Sequence, residues 1–473
     1  MKKIIYYLLA FLVIIVASII IFELFLQILP VIGRNMQNNN NNKIYVYVLG
    51  ESSAWGQPYL GKISFSKIML YSLDNKIDNK KIDLIMIARP GSRLLHQYFR
   101  YLFYRYTHPF YKGIVLLYSG TNDFDTRRDT SSYRDISLKI NIVGLFNNYI
   151  NKQYDFKYEY ERIILLAKSF GDDIYMSTIA GNYAGFMSSN VSSLSDLKLK
   201  ENIDKIDNLI LNKNYEEAMT KCKILLEQYE NKAQIWYRVG KIYEGQKNIK
   251  EAKQAYLNVV ECGNDTRPSQ YQNDVIRNLA KKYKLPYMDI FDILNNSDEI
   301  VGYNFFIDKT HPTLRLHTII AKGFVDLLSK KYNINIVNSD VSEQNILDKF
   351  KFNDYYLFNM YKEALCEVII YSYIDGIFDK YNLETINKYI SNIKLINGRL
   401  NVSDKYKNKQ EERFIIGKIF DTLLEYVKGN KEESIKISDN INLNINFDNI
   451  REHGWTVYFK SWIQDLKINK NKF

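Results

Sequence analysis

The sequence predicts an α/β protein built on a parallel sheet that helices cover. Five short apolar runs have the composition of buried strands, and they lie at residues 44–49, 82–87, 114–118, 174–179 and 286–290. Runs that are apolar on both faces are typical of parallel sheets. Helix-like segments alternate with them, for example residues 98–106 and 158–170. This alternation indicates a doubly wound domain of about five strands, with its active site at the carboxyl ends of the strands.

The N-terminal region has the pattern of a membrane anchor. Lys2 and Lys3 precede an apolar stretch at residues 4–22, which at about 19 residues is long enough to span a bilayer as a helix. No small-x-small cleavage site follows, which favours a retained signal anchor over a cleaved signal peptide. The lysines would stay in the cytoplasm. We therefore predict a transmembrane signal anchor at residues 1–33. An Asn-rich tether at residues 34–43 would connect it to a domain on the extracytoplasmic side.

The first strand run ends in the sequence GES at residues 50–52. A serine that follows a strand directly, at a tight turn into a helix, is exposed at the edge of the sheet. Its backbone N–H then lies at a helix N-terminus, where negative charge is stabilised. Ser52 is therefore the candidate nucleophile, and Ser53 competes with it. A helix N-cap without chemistry is the alternative interpretation of Ser52.

The third strand run is followed by the sequence GTND at residues 120–123. The side-chain amide of Asn122 could donate to an oxyanion at this strand end, a role worth about 3 kcal/mol in comparable sites. Taken alone, the same sequence is only a turn.

A helical pattern interrupts the α/β alternation at residues 200–265. The sequence NYEEA at residues 214–218 recurs 34 residues later as NIKEA. Trp236, Gly240, Tyr243 and Tyr256 accompany the second copy at the tetratricopeptide spacing. The pattern predicts a tetratricopeptide-like insertion, with an ordinary helical hairpin as the alternative. Because such repeats often bind extended peptides, the insertion is also a candidate site for a protein partner.

Asp308 and His311 form the strongest single candidate among the polar residues. They lie three residues apart, close enough in a turn for the carboxylate to orient the imidazole and stabilise its charged form. His317 follows on a helix-like segment and is predicted to be structural. His96 and His108 have no acidic partner in register, and we expect both to be surface or packing residues.

Residues 336–473 predict an all-helical extension. Helical periodicity with broad apolar faces occurs at residues 354–373 and 411–426. No chemical motif is found in this region.

Composition excludes several classes of protein. The net charge is +11, but lysine is spread along the whole chain, and no compact basic run interleaved with aromatics indicates a nucleic-acid groove. The three cysteines, Cys222, Cys262 and Cys366, form no CxxC pair. Such an odd, sparse set argues against a zinc site and against a disulfide framework.

Together, the segments resemble the blocks of the SGNH branch of the GDSL esterase and lipase family. GES resembles the block of the nucleophile, with Glu51 in place of the commoner aspartate. ARPGS at residues 88–92 resembles the second block, whose glycine is here Gly91, although the usual asparagine before this block's Arg-Pro-Gly is absent. GTND is similar to the third block, and DKTH at residues 308–311 is similar to the last. The likeness covers about residues 43–199 and 266–332.

The resemblance implies a flavodoxin-like sheet, with a hydrolase domain split into residues 44–199 and 266–335. It implies a serine ester hydrolase in which Asp308 orients His311 and His311 takes the proton of Ser52. The N–H groups of Ser52 and Gly91 and the side chain of Asn122 would hold the oxyanion. Neither a metal nor an organic cofactor is implied.

The predicted substrate is an acyl or acetyl ester on a small molecule, lipid or glycan of the bacterial cell envelope. If a sugar hydroxyl replaces water as the acceptor of the acyl group, Ser52, His311 and Asp308 would form an O-acyltransferase that modifies envelope glycans. This is the first alternative. A membrane-anchored repeat scaffold without activity is the second alternative.

Overall fold

The computed structural model describes residues 18, 28–36, 42–123, 155–187, 197–229, 232–262, 266–373, 380–399, 425, 432–434 and 436. The predicted α/β class is confirmed, because a six-stranded and largely parallel sheet lies among many helices. The strands are β1 (Lys43–Gly50), β2 (Lys76–Ile77), β3 (Lys80–Met86), β4 (Gly113–Tyr118), β5 (Asp173–Ser177) and β6 (Tyr287–Met288).

The strands lie in the order β2-β3-β1-β4-β5-β6. Five of them pair in parallel, and β2 pairs antiparallel with β3. The prediction of a purely parallel sheet of about five strands is corrected by this hairpin. Asp78 and Asn79 form its two-residue turn with φ of 50° and 60°, and two successive positive φ values are what a type I′ hairpin turn requires.

The centre of the sheet is the most deeply buried part of the described chain. Every residue of β4 is buried, as expected for a parallel strand that helices cover on both faces. The fifth predicted run, at residues 286–290, contributes only the two residues of β6. Asp289 ends it, since its side chain accepts from Asp292 N and caps the next helix.

The helices of the first half are α1 (Ser52–Trp55), α2 (Phe65–Ser72), α3 (Leu94–Thr107), α4 (Phe156–Ser169), α5 (Leu197–Leu211), α6 (Tyr215–Gln228), α7 (Ala233–Gly245) and α8 (Ile249–Glu261). Those of the second half are α9 (Gln270–Tyr283), α10 (Ile290–Asn295), α11 (Leu314–Ser329), α12 (Glu343–Lys349), α13 (Asp354–Tyr373) and α14 (Leu383–Arg399), with a short 3₁₀ turn at Lys380–Asn382. Residues 28–35 are also helical.

Side-chain caps explain where several of these helices begin. Ser64, Asp155 and Thr313 each accept from a backbone N–H in the first turn of the helix that follows. Ser269 and Gln272 form a reciprocal capping box at the start of α9. These caps fix the helices that pack against the sheet.

The helices α5 to α8 have a hydrophobic core of their own. Consecutive members pack on each other, and the cluster includes Ile206, Cys222 and Ile242. The main core beside the sheet takes Tyr237 and Tyr256 from α7 and α8, and it also takes Leu365, Val368 and other residues from α13 and α14. The described part of the C-terminal region therefore packs with the α/β core. The second predicted helix there, at residues 411–426, lies outside the described residues except for residue 425.

The predicted membrane-anchored location is corrected by the structure. In the described part of the chain, no helix is both long enough and apolar enough to cross a bilayer. Of the predicted segment at residues 1–33, only residues 18 and 28–33 are described. Of the predicted tether at residues 34–43, residues 37–41 lie outside the described residues.

Candidate active site

The nucleophile segment is a sharp turn between β1 and α1. A Cβ atom at Gly50 would lie 2.3 Å from both Tyr118 O and Ala54 Cβ, so only glycine fits where the ends of β1 and β4 meet. Helix α1 starts at Ser52 and ends at Gly56, which has a φ of +100°. The turn places Ser52 at the carboxyl end of β1, as the sequence predicts.

Ser52, His311 and Asp308 lie in one hydrogen-bonded row. Ser52 Oγ is 2.8 Å from His311 Nε2, and His311 Nδ1 is 2.6 Å from Asp308 Oδ2. Since Nδ1 faces a carboxylate, Nδ1 carries the proton in the neutral ring, and Nε2 is then free to accept from the serine hydroxyl. The structure thus brings together all three residues that the sequence proposes for proton transfer.

The loop that holds Asp308 and His311 is rigidly organised. Asp308 Oδ1 accepts from the N–H groups of Thr310 and His311, each at 2.9 Å. Asn182 donates from its side chain to Asp308 O, and from its backbone N–H to Lys309 O, both at 3.0 Å. Sequence reasoning missed Asn182, which lies after β5 and has no motif around it. It fixes the loop against the end of the sheet.

Ser53, the competing nucleophile, has a different partner. Its side chain is only 1% exposed, and its hydroxyl donates to Thr310 O at 3.0 Å. This bond ties the turn of Ser52 to the loop of His311. Ser53 therefore positions the two candidate segments relative to each other, and its hydroxyl bonds to the backbone instead of to the imidazole.

The two proposed oxyanion segments are joined through Ser92. Asn122 Nδ2 donates to Ser92 O at 2.9 Å, and Ser92 Oγ donates to Gly50 O at 3.2 Å. Gly91, the neighbour of Ser92, has a φ of +68°, and no described atom lies within 4 Å of the position that a Cβ would take there. The backbone at Gly91 thus borders open space beside the segment of Ser52.

Glu51 is a buried anchor whose contacts sequence reasoning missed. Its Oε1 accepts from Ser119 Oγ at 2.6 Å, Gly120 N at 2.9 Å and Gln97 Nε2 at 3.0 Å. Its Oε2 accepts from Thr121 Oγ1 at 3.1 Å. Burial raises the pKa of Glu51, and these donors lower it by less. The carboxylate fastens the Ser52 turn to the Asn122 segment. The sequence signal that could have indicated this role is the acidic residue directly before Ser52.

Helix α9 completes the support of the Asn122 segment. Gln272 Nε2 donates to Gly120 O at 2.8 Å and to Asp123 O at 3.1 Å. The carboxylate of Asp123 accepts from Leu94 N at 3.3 Å, at the first turn of α3. Gln272 follows helices α5–α8 in sequence and Asp123 precedes them, so the site depends on segments from both sides of these four helices.

The charge on Asp308 controls the basicity of His311. Burial by itself would lower the pKa of His311, but the Asp308 carboxylate and, more weakly, Glu367 and Glu363 raise it above the usual histidine value. Burial would likewise raise the pKa of Asp308, yet the charge and hydrogen bonds of His311 hold it below the usual range. The imidazole is therefore a stronger base than a free histidine side chain.

Two glutamates of α13 also act on the site, and no motif pointed to them. Gln57, which closely follows Ser52, donates through Nε2 to Glu363 Oε2. Glu367 lies one helical turn later on the same face. Burial, with the nearby Asp308 charge, raises the pKa of Glu367 to about 7. The C-terminal region thus adds negative charge beside the imidazole.

The remaining histidines have other surroundings. His317 is fully buried, and neither ring nitrogen has a hydrogen-bond partner among the described residues. Burial and the His311 charge lower its pKa to about 3, so the ring stays neutral. His96 accepts from Arg93 N at the start of α3. The His108 ring stacks on Tyr104 with centroids 4.4 Å apart. None of the three occupies a place in the row of Ser52.

Neither a metal-binding cluster in the described residues nor a similar known protein was found to assign a function to this site. Within the described ranges, no three His, Cys, Asp or Glu side chains are grouped so that they could hold a metal ion. No family model, no curated protein and no solved structure matches the chain.

Proposed function

We propose that the chain is a serine ester hydrolase of the SGNH type. The observation that supports this proposal best is the row in which Ser52 Oγ lies 2.8 Å from His311 Nε2 while Asp308 holds Nδ1. A serine hydroxyl is a weak nucleophile unless an oriented base stands within hydrogen-bond distance. Here the base is present, its tautomer is set, and its pKa is raised.

In the proposed reaction, His311 removes the proton of Ser52 as Oγ attacks the carbonyl carbon of an acyl or acetyl ester. The C–O bond to the alcohol breaks as His311 returns the proton to the leaving oxygen. Water, deprotonated by His311, then attacks the acyl-serine and releases the acid. Asp308 remains ionised throughout and stabilises the imidazolium.

The negative oxygen of the tetrahedral intermediate needs donors. The proposed ones are the N–H groups of Ser52 and Gly91 and the Asn122 amide. Asn122 Nδ2 carries two hydrogens, and the bond to Ser92 O uses one of them. The other hydrogen is the one proposed for the oxyanion, and the bond to Ser92 holds the amide in place for it.

The finer architecture belongs to the same proposal. The parallel strands in the order β3-β1-β4-β5-β6 support a flavodoxin-like, doubly wound domain formed by residues 44–199 and 266–335. Lys213 and Lys247 have φ of 59° and 64° at equivalent turns of α5–α6 and α7–α8. This repetition supports a tetratricopeptide-like insertion at residues 200–265, followed by the helical region at residues 336–473.

Hydrolysis of p-nitrophenyl acetate by the full chain tests the proposal. We expect Ser52→Ala to lower kcat/KM by at least about 10³-fold, because Ser52 is the one hydroxyl in the described part of the chain that bonds to His311 Nε2. Ser53→Ala is the matched control and should keep most of the activity. A fluorophosphonate probe should label Ser52 in the wild type and in Ser53→Ala. Equal slow turnover in the wild type and Ser52→Ala, with no labelling, would overturn the proposal.

A further inference from the structure

A cavity separate from the candidate active site lies between the helical insertion and the C-terminal region. It has a volume of about 530 Å³, which is within the range of small-molecule sites. Its walls come from the end of α7, the loop at residues 298–304, and residues 381–385 at the start of α14. We call it the side groove. None of its lining residues belongs to the candidate active site.

Aromatic rings and a lysine hold two of the walls together. Lys241 Nζ lies 5.4–5.5 Å from the ring centroids of Tyr237, Tyr256 and Tyr381, and 3.1 Å from Glu244 Oε2. A cation among aromatic rings is stabilised by their quadrupoles. Because these contacts join α7 and α8 to the C-terminal region, the side groove is already formed without a ligand.

Tyrosine hydroxyls and an amide fix the remaining wall. Tyr303 OH donates to Asn382 Oδ1 at 3.0 Å, and Tyr381 OH donates to Asp207 Oδ1 at 2.9 Å. Both tyrosines line the groove. Since their hydroxyls are bonded to the protein, their rings are held as fixed apolar surfaces. Such rigidity lowers the ordering cost of binding.

The charges of the groove are largely neutralised in pairs. Lys241 pairs with Glu244, and Glu299 pairs with Arg315 at 2.8 Å. Asp298 and Glu384 add exposed carboxylates to this lining, and the charge of Asp298 also acts on Lys253 in the wall of the adjoining cavity. An anionic ligand would therefore meet net repulsion. Neutral hydroxyl groups, in contrast, can donate to carboxylates and pack their C–H faces on tyrosine rings.

A neighbouring cavity extends the side groove. It has a volume of about 440 Å³ and shares Ile249 and Asp298 with the first. Asn295 and Asn296 line it, and Asn304 and Asn382 line the side groove itself. The two cavities together form an elongated space bordered by amide and carboxylate side chains, which fits an elongated, oxygen-rich molecule.

We propose that the side groove binds a short neutral saccharide. Fixed tyrosine rings, carboxylate and amide groups, and internally paired charges together favour a polyhydroxylated ligand over an anion. The proposal goes beyond ester hydrolysis and requires no activity of Ser52. The groove nevertheless adjoins the catalytic loop, because Ala184 in its wall donates from N to Val301 O at 3.1 Å, while Asn182 holds Asp308.

The test uses the full chain with Ser52→Ala, so that binding is measured without turnover. It is applied to an array of immobilised neutral, acidic and aminated oligosaccharides, and a retained neutral one is then titrated calorimetrically. Thr385→Trp fills the groove and should weaken binding by at least about tenfold, whereas Lys388→Trp on the same helix should stay within about twofold. Glu384→Trp at the rim is the second filling variant if Thr385→Trp does not fold.

Three results would overturn the proposal. One is retention of no neutral oligosaccharide by the folded protein. Another is equal weakening by the filling variants and by Lys388→Trp, which would place the saccharide elsewhere. The third is retention of aminated ligands only, with loss in salt, which would identify a site for cations. Activity toward p-nitrophenyl acetate is measured separately, so failure of the hydrolase proposal leaves this result interpretable.

Discussion

The sheet carries a buried acid–base pair at each end, and the two pairs differ in what they can do. At the carboxyl ends of the strands, Asp308 pairs with His311. At the opposite end, Asp172 precedes β5, accepts from Gly113 N at 2.8 Å, and lies 2.9 Å from Arg105 Nε. Each pair joins a carboxylate in a turn to a basic side chain, which lies in the same turn for Asp308 and on α3 for Asp172.

The two pairs differ in how far their side chains are exposed to solvent and in whether the base can lose its proton. The side chains of Arg105 and Asp172 are 0% exposed, whereas the His311 side chain keeps 16% of its surface exposed and touches Ser52. Arginine cannot give up its proton in a protein, and histidine can. The pair of Asp172 and Arg105, whose base is permanent and enclosed, is called here the structural pair. The pair of Asp308 and His311, whose base can titrate and is open on one side, is the one proposed to react and is called the reactive pair.

The pKa values of the carboxyl groups follow this difference. Burial raises the pKa of Asp172 to about 6, so the group is still mostly ionised beside Arg105 at neutral pH. The pKa of Asp308 lies below its usual range, because the charge and hydrogen bonds of His311 outweigh burial. The reactive pair thus keeps its carboxylate charged over a wider range of pH than the structural pair does.

The largest effect is expected from the reactive pair. Asp308→Asn keeps an oxygen that can accept from Thr310 N and His311 N, but it removes the charge that sets the histidine tautomer. We expect kcat/KM to fall by about 10³–10⁴-fold, with the unfolding midpoint in urea little changed. Activity within tenfold of the wild type, in a variant that still folds, would show that Asp308 does not orient the base.

For the structural pair we expect the main effect on stability and not on activity. Arg105→Met leaves the Asp172 carboxylate buried without its cation, and we expect the free energy of unfolding to fall by about 3–5 kcal/mol. Arg315→Met, which breaks the half-exposed pair with Glu299, is the matched control and should cost less than about 1 kcal/mol. Urea unfolding followed by fluorescence measures both. Equal losses in the two variants would refute the contrast drawn from burial.

The two pairs also differ in how far the sequence predicts them. Ser52 and Asn122 follow apolar strand runs, and Asp308 and His311 share one turn, so local pattern was enough to place them. Asp172 and Arg105 are remote in sequence and carry no motif, and only the packing of α3 against the sheet brings them together. The same holds for Asn182, which becomes a site residue only through tertiary contacts.

Fold prediction shows a similar limit. The apolar runs predicted the parallel strands, because burial on both faces leaves a compositional signal. The hairpin of β2 was missed because its strand has only two residues, and β6 proved shorter than predicted because Asp289 caps α10. Glu363 and Glu367 were missed because an acidic pair on a helix is ordinarily a solvated face.

Glu51 shares burial with the structural pair, and its carboxylate accepts hydrogen bonds from four donors. Among the described residues it has no cationic partner. Glu51→Gln replaces one acceptor oxygen by a donor that faces another donor. We expect the free energy of unfolding to fall by about 1–3 kcal/mol. Glu251→Gln on the surface of α8 should change it by less than about 0.5 kcal/mol. Urea unfolding that finds both variants equal would assign Glu51 no anchoring role.

The smallest effect is expected from Glu367 on α13, whose charge acts on the pKa of His311. His311 must be neutral to accept the proton of Ser52, so kcat/KM is lost as the pH falls through the pKa of His311. Negative charge on Glu367 stabilises the imidazolium and raises that pKa. Glu367→Gln should therefore move the acid limb of the kcat/KM profile to lower pH, whereas Glu251→Gln should leave it in place. A merely structural role for Glu367 would instead scale the whole profile down without moving its acid limb, and such a result would show that α13 does not tune the base.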